Sequence, residues 1–331
     1  MPRLSIVIPC VGGAAEFDGT LVSVLQHRPS DCEVLVIHSL PYNDPYALQG
    51  EVRFIRVSGR PDLVELINTG VEAAKGQIVH TVACGLEVTE GWTDAPLARF
   101  QEDDQLGAVS PVVVAADKFT VEAAGVSWSM GGSRRILRGP SAAKVSSRGQ
   151  QKVFGPTIDA GFFRREELWA AGGFDGRLGH ELADVGLALT TRDIGLACVL
   201  EPRSQLVLTA PKAFAKTTRS LHQARLAERL FWQHANGFAP AMLAHAFTVF
   251  AEVLAELPKL TAMLMLFGRL LALLEIGSAK RHAARVAELR SRIAELHQAS
   301  PQTLPFSAAR AIDAPVENRS HGARTEKRQA A

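Results

Sequence analysis

Several absences bound this chain of 331 residues before any motif does. Aromatic residues are scarce at 6%, while the apolar share is 47%, an ordinary balance for a globular protein with a sizeable core. Thirty-six basic residues stand against 34 acidic ones, a formal net charge of +2, so bulk electrostatics give no reason to expect a nucleic-acid partner, and none is expected. Cysteines are few and far apart: Cys10, Cys32, Cys84 and Cys198. No CxxC or Cys/His ligand spacing occurs, which excludes a zinc site, and isolated cysteines at strand ends point to a reducing compartment. A signal segment is missing too, because the apolar run after Arg3 is cut short by Pro9 and Gly12-Gly13. The expectation is a cytoplasmic protein. The chain also lacks internal repeats, GxGxxG, a Walker A loop and a nucleophile elbow.

What is present is an alternation. LSIVIPC (4–10), EVLVIHS (33–39), VRFIRVS (52–58), QIVHTVA (77–83) and LGAVSPVVV (106–114) read as strands. Between them, 17–28, 62–76 and 94–104 read as helices, the second with Asp62 near its start and Gly76 as its stop. Continuous apolar strands alternating with helices predict an α/β fold with a mostly parallel sheet covered on both faces. Residues 116–156 carry the basic run Gly131–Lys152 and read as a long surface excursion. Ligands of open α/β sheets lie beyond the carboxyl ends of the strands. The candidate site is therefore Pro9-Cys10-Val11, His38-Ser39 and Ala83-Cys84-Gly85.

Six stretches, taken in order, carry a resemblance. They are LSIVIPC, EVLVIHSLPYND, INTGVEAAKGQIVHTV, CGLEVTEGW, FFRREELWAAGGFDGRL and ADVGLAL. Their order and spacing over residues 3–210 resemble family 2 glycosyltransferases of the GT-A fold. Asn68 and Gly76 match the family's approach to its third strand; Glu87 and Trp92 survive from its metal segment. His38 stands where the family carries an Asp, and Ala83-Cys84-Gly85 where it carries carboxylates. Asp184 falls on the base position, while Ala183 and Gly186 replace acidic neighbours and a late His near Leu208 is absent.

The resemblance implies a UDP-, GDP- or dTDP-sugar donor, a saccharide or lipid-linked acceptor, and a role in surface polysaccharide assembly. Asp184 would be the base of an inverting displacement. Donor contacts would come from Pro9, Cys10, Val11, His38, Asn68, Cys84, Gly85 and Glu87. Arg134, Arg135, Arg164 and Trp128 would meet phosphate or acceptor. No metal ligand is assigned, since one distant Glu does not hold Mg or Mn, and Arg134, Arg135, Arg138, Lys144, Arg148 and Lys152 are the candidates to offset the diphosphate instead. His38 suits a base or ribose contact and equally a strand-end histidine with no role. A rival reading is a pseudo-glycosyltransferase that keeps the fold as a binding or scaffold module.

The expected organisation is a GT-A domain over 1–215, an amphipathic helical extension over 216–299 and a disordered tail over 300–331. The apolar stretch Ala241–Gly277 is interrupted by Glu252, Glu256, Pro258, Lys259 and Arg269, which predicts two amphipathic helices in place of a membrane span. Residues 241–296 are the expected contact with a membrane surface, on its inner face, or with a second copy in a homodimer.

Overall fold

The computed structural model of the protein describes residues 2–291 except 12–13, 40–41, 43–46, 130, 140–152, 210–219, 235–238, 258, 275–276, 278–283 and 285. The chain divides into two units, Met1–Ala294 and Glu295–Ala331. The second unit lies outside the described residues, as do Asn43, Asp44, Lys144, Arg148, Lys152 and Pro258.

Four strands form the parallel half of the sheet: β1 (Leu4–Cys10), β2 (Cys32–His38), β3 (Val52–Arg56) and β4 (Ile78–Val82), in the order β3-β2-β1-β4. Their apolar runs are continuous because both faces are covered. Ile6 and Ile8 of β1 pack with Phe17 and Leu21 of α1 (Ala14–His27). Val7 points the other way, into a cluster with Val64, Ile67 and Val71 of α2 (Leu63–Ala73). Asp62 caps α2 as expected, accepting from the Glu65 N–H at 2.8 Å. Gly76 acts otherwise. The helix ends at Ala73, and Gly76 is a place of close approach, where a Cβ would stand 2.6 Å from the Ser5 nitrogen.

The other half is mixed. It contains β5 (Leu86–Val88), α3 (Asp94–Glu102), β6 (Leu106–Ala115), β7 (Val121–Ala123), β8 (Val126–Trp128) and β9 (Arg134–Ile136). After these come β10 (Ala160–Arg164), α4 (Arg165–Ala170), α5 (Gly179–Asp193) and β11 (Ala197–Leu208). The order continues β4-β10-β6-β11-β5, with β10 antiparallel to both neighbours. The surface excursion expected over 116–156 is corrected here for residues 121–136, while 140–152 lie outside the described residues. β7 pairs with β6, β8 pairs with β9, and Ala123, Ala124 and Val126 are fully buried, so a few well-spaced small apolar residues anchor a segment whose average composition is polar and basic.

The helical extension comprises α6 (Leu221–His234), α7 (Ala239–Glu256) and α8 (Leu260–Leu273). Its polar side chains face inward. Glu228 of α6 accepts from Arg269 Nη1 at 2.8 Å and Trp232 Nε1 at 2.8 Å, and His245 Nε2 lies 3.1 Å from it. Arg269 also reaches Glu252 at 3.0 Å and the Gly131 carbonyl at 2.9 Å, tying α8 to α7 and to the β8–β9 turn. The outward faces are apolar: Leu243, Phe247, Phe250, Leu260, Met263 and Phe267 are between 54% and 74% exposed. Among the described residues, no helix is long and apolar enough to cross a membrane.

Packing of α2 on β1 leaves no room at Gly70, where a Cβ would lie 2.3 Å from Val7 Cγ1. Gly70→Val is expected to lose about 1–3 kcal/mol of stability through overpacking, read from the urea unfolding midpoint.

Candidate functional site

The carboxyl ends of β1, β2 and β4 open on one side of the sheet. Cys10 ends β1 and pairs in register with His38 at the end of β2. Val11 follows, 54% exposed. Beyond β4 the chain turns through Cys84 and Gly85. Gly85 has φ +87°, and its N–H donates to Thr20 Oγ1 at 3.0 Å, so a positive-φ glycine lets the chain fold back against α1. Cys84 Sγ donates to the Pro9 carbonyl at 3.3 Å, and the Cys10 and Cys84 thiols lie close enough to shift each other's pKa. Two thiols and backbone thus lie at the mouth of the sheet, with Glu16 and Asp18 of α1 near enough for their charges to act on Cys84 and Cys10.

A second group of side chains adjoins it. The Ala83 N–H donates to the carbonyl of Asp159 at 2.9 Å, which sets Asp159 against the end of β4. Asp159 is 1% exposed, and its Oδ1 lies 3.1 Å from Nε2 of His180, in the first turn of α5. Its other oxygen, Oδ2, has no partner among the described residues. Burial disfavours the charged form of His180, yet the hydrogen bond and charge of Asp159 outweigh it and hold the imidazole pKa above its ordinary value. His180 keeps 28% of its side chain exposed. A buried carboxylate behind a partly exposed imidazole is an arrangement that can accept and return a proton.

One turn further along α5 lies Asp184, 2% exposed. Arg134 of β9 grips it with Nε at 2.9 Å from Oδ1 and Nη2 at 2.6 Å from Oδ2, and the Val185 N–H donates to Oδ1 at 2.8 Å. Burial pushes the Asp184 carboxyl up and the guanidinium pulls it back. Because arginine stays charged and the contact is bidentate, the two form an ion pair.

The expected site residues thus separate into groups. Cys10, Val11, Cys84 and Gly85 meet at the mouth, with Pro9 beneath them. His38 is buried beside an aromatic cluster, in edge contact with Tyr42 and Phe54, and Tyr42 stacks on Phe54 at 5.2 Å. Trp128 lies opposite Arg134 in the β8–β9 ribbon and stacks on Phe154, while Arg135 on the same ribbon is exposed.

Four expectations do not fit this geometry. Asp184 has no open face from which to take a proton, and Arg134, its partner, is fixed on a strand and unavailable to phosphate. Asn68 spends both polar atoms on the backbone of Phe174, at 2.8 and 2.9 Å, holding the GGFD turn. Arg164 pairs with Ile78 at the amino end of β4, the wrong end of the sheet, and gives its guanidinium to the carbonyls of Leu106, Phe100 and Asp103. Glu87 of β5 is not among these: its Oε1 is close to Gly19 of α1, next to Thr20, which accepts from the Gly85 N–H. Asp159 and His180 were not singled out in the sequence. The available signal was slight: an acid just ahead of an apolar strand, and a His at the start of a helix.

Hard divalent cations take several oxygen ligands, and the described side chains at the mouth bring two soft thiols with the carboxylates of Glu16 and Asp18 nearby. Among the described residues, no group of three or more His, Cys, Asp or Glu side chains could hold a metal ion. A cavity of about 260 Å³ lies elsewhere, between the GGFD turn, α5 and α6, and shares none of the mouth residues.

No family model matches the chain. It is 27% identical over 155 residues to probable polypeptide N-acetylgalactosaminyltransferase 8 of Homo sapiens, covering 39% of this chain and 24% of that protein. It is 31% identical over 133 residues to polypeptide N-acetylgalactosaminyltransferase 12 of Mus musculus, covering 37% and 23%. The chain thus spans about a quarter of the length of the curated relatives it matches. Among solved structures it resembles GalNAc-T7 with UDP, GalNAc and Mn2+, at TM-score 0.55 and 16% identity over 70% of this chain and 47% of that one. It also resembles S. aureus TarS 1–349, at TM-score 0.54 and 11% identity over 90% and 92%. The fold is that of the GT-A glycosyltransferases.

Removing one partner of a buried ion pair leaves the other charged and desolvated. Asp184→Leu and Arg134→Met are each expected to lose about 3–5 kcal/mol in urea unfolding, and the double variant to lose less than either, because no buried charge then remains.

Proposed function

We propose that the chain is a glycosyltransferase that takes a nucleotide sugar at the mouth of β1, β2 and β4 and uses the Asp159–His180 pair in place of Asp184 as its proton acceptor. The observation carrying this reading is the position of that pair, joined through the Ala83–Asp159 hydrogen bond to the end of β4. His180 would take the proton of the acceptor hydroxyl as its oxygen attacks the anomeric carbon and the nucleoside diphosphate leaves. Asp159 would orient the imidazole and stabilise its charged form. Arg135 would offset charge on the leaving group without a hard metal. The donor classes are UDP-, GDP- and dTDP-sugars, the acceptor is a saccharide or lipid-linked saccharide, and surface polysaccharide assembly is the setting. The relatives named for N-acetylgalactosaminyl transfer and the neighbour with UDP and GalNAc bound support a UDP-linked donor first.

The second reading, a pseudo-glycosyltransferase that binds without turnover, is favoured by the burial of Asp184 and by the thiols at the carboxylate positions. Calorimetry with UDP-, GDP- and dTDP-sugars, with manganese or with chelator, separates the two when paired with a nucleotide-release assay. Binding that survives chelator is expected. Release is expected to fall by about 100-fold or more in His180→Ala while binding holds. In the native protein release should rise with pH through the elevated His180 pKa, since only the neutral imidazole accepts a proton. Metal-dependent binding would overturn the proposed charge handling, and binding without release would favour the scaffold reading.

The apolar outer faces of α7 and α8 support a membrane surface as the place of work. Flotation with phosphatidylcholine–phosphatidylglycerol vesicles is expected for the native protein and lost in Phe247→Asp/Phe267→Asp. A concentration-dependent dimer that ignores vesicles would assign this face to a second copy instead.

A further inference from the structure

We propose that Cys10 and Cys84 are a modification site for hydroperoxides, a dithiol that closes into a disulfide across the mouths of β1 and β4. This stands on the placement of the two sulfurs and not on the transferase reading.

The strand ends bring them together. β1 and β4 pair in parallel from Leu4 opposite Ile78 to Val7 opposite Thr81, and the ladder ends there. Cys10 is the last residue of β1 and Cys84 follows the last residue of β4 by two, so both lie at the carboxyl ends of neighbouring strands. The sulfur of Cys84 is held against the backbone on both sides of Cys10, donating to the Pro9 carbonyl at 3.3 Å while the Val11 N–H points at it. Both cysteines are half-buried, next to the exposed Val11, and the Cys84 thiol is near enough to act on Cys10.

The two sulfurs are also unequal. The neighbouring Cys84 thiol lowers the pKa of Cys10, outweighing burial and the charge of Asp18, whereas Cys84 itself is pushed far up. Cys10 is the nucleophile and Cys84 the resolving thiol. The Cys10 thiolate attacks one oxygen of hydrogen peroxide, breaking the O–O bond, and becomes a sulfenic acid while the departing hydroxide takes up a proton as water. Cys84 then attacks the sulfenic sulfur. The S–S bond forms, and the hydroxyl leaves with the Cys84 proton as a second water. Two thiols have given two electrons to the peroxide, and an external thiol reverses the step. Burial raises the pKa of both Cys32, at the amino end of β2, and Cys198, within β11, so they serve as internal controls.

The test uses the full chain, reduced and then treated with equimolar hydrogen peroxide, alkylated and digested without reductant. Mass spectrometry should find a Cys10–Cys84 linked peptide about 2 Da lighter than its two parts. Alkylatable thiols should fall from four to two and return with reductant. Cys84→Ser should leave Cys10 as a sulfenic acid that dimedone traps. As a probe independent of that variant, phenylarsine oxide should bind the native protein one to one and block alkylation of Cys10 and Cys84 together. Sulfinic acid on Cys10 with Cys84 still alkylatable, a link only between separate chains, or arsenical that leaves both thiols alkylatable would each overturn the proposal.

Discussion

Much of the second half of this molecule depends on the ion pair between Arg134 and Asp184. The two residues come from elements far apart in sequence, a short ribbon strand and a helix, and both side chains are about 1% exposed. Desolvating two charges is costly unless geometry and further hydrogen bonds compensate. Here the bidentate contact and the Val185 N–H do so. As a result the β8–β9 ribbon is fixed against α5, and the first turn of α5, which carries His180, is fixed with it. Arg269 repeats the device one layer outward, binding the helical extension to the turn of the same ribbon through the Gly131 carbonyl.

That arrangement changes what the acidic position on α5 means. A carboxylate that serves as a base needs an open face and a pKa near working pH. Asp184 has neither the exposure nor the freedom, because its lone pairs are committed to a guanidinium and a backbone amide. His180 has both an open edge and a carboxylate behind it. Within one helical turn, the buried acid is committed to an ion pair, and the partly exposed imidazole is the group on which the proposed proton transfer rests.

The strand framework was legible in sequence because continuous apolar runs and a capping Asp62 are local signals, and β1 to β4 with α2 followed them. The GGFD turn was legible as a turn, although the role of Asn68 in clamping it was not, since that contact joins residues 106 positions apart. The β8–β9 ribbon was hidden for a different reason. Its anchor residues are small and widely spaced, and its Arg134 counts as surface charge in any compositional reading until Asp184 is placed opposite. Arg164 misled because paired arginines suggest phosphate, whereas strand direction, fixed only by the antiparallel entry of β10, puts it at the far end of the sheet. The Asp159–His180 pair carried almost no pattern of its own.

Packing also limits what α5 can carry beside Asp184. A Cβ at Gly186 would approach Leu178 Cδ1 to 2.3 Å. Leu178 is itself buried in the cluster that includes Phe174, Leu182 and Leu230. A carboxylate introduced at that position would therefore push a charge into an apolar cluster and displace Leu178. At the sheet mouth the balance is electrostatic: two half-buried thiols lie beside the charges of Asp18 and Glu16 on α1. Those charges and burial raise a thiol pKa, so the lowered pKa of Cys10 depends on Cys84, and the two thiols act as one unit.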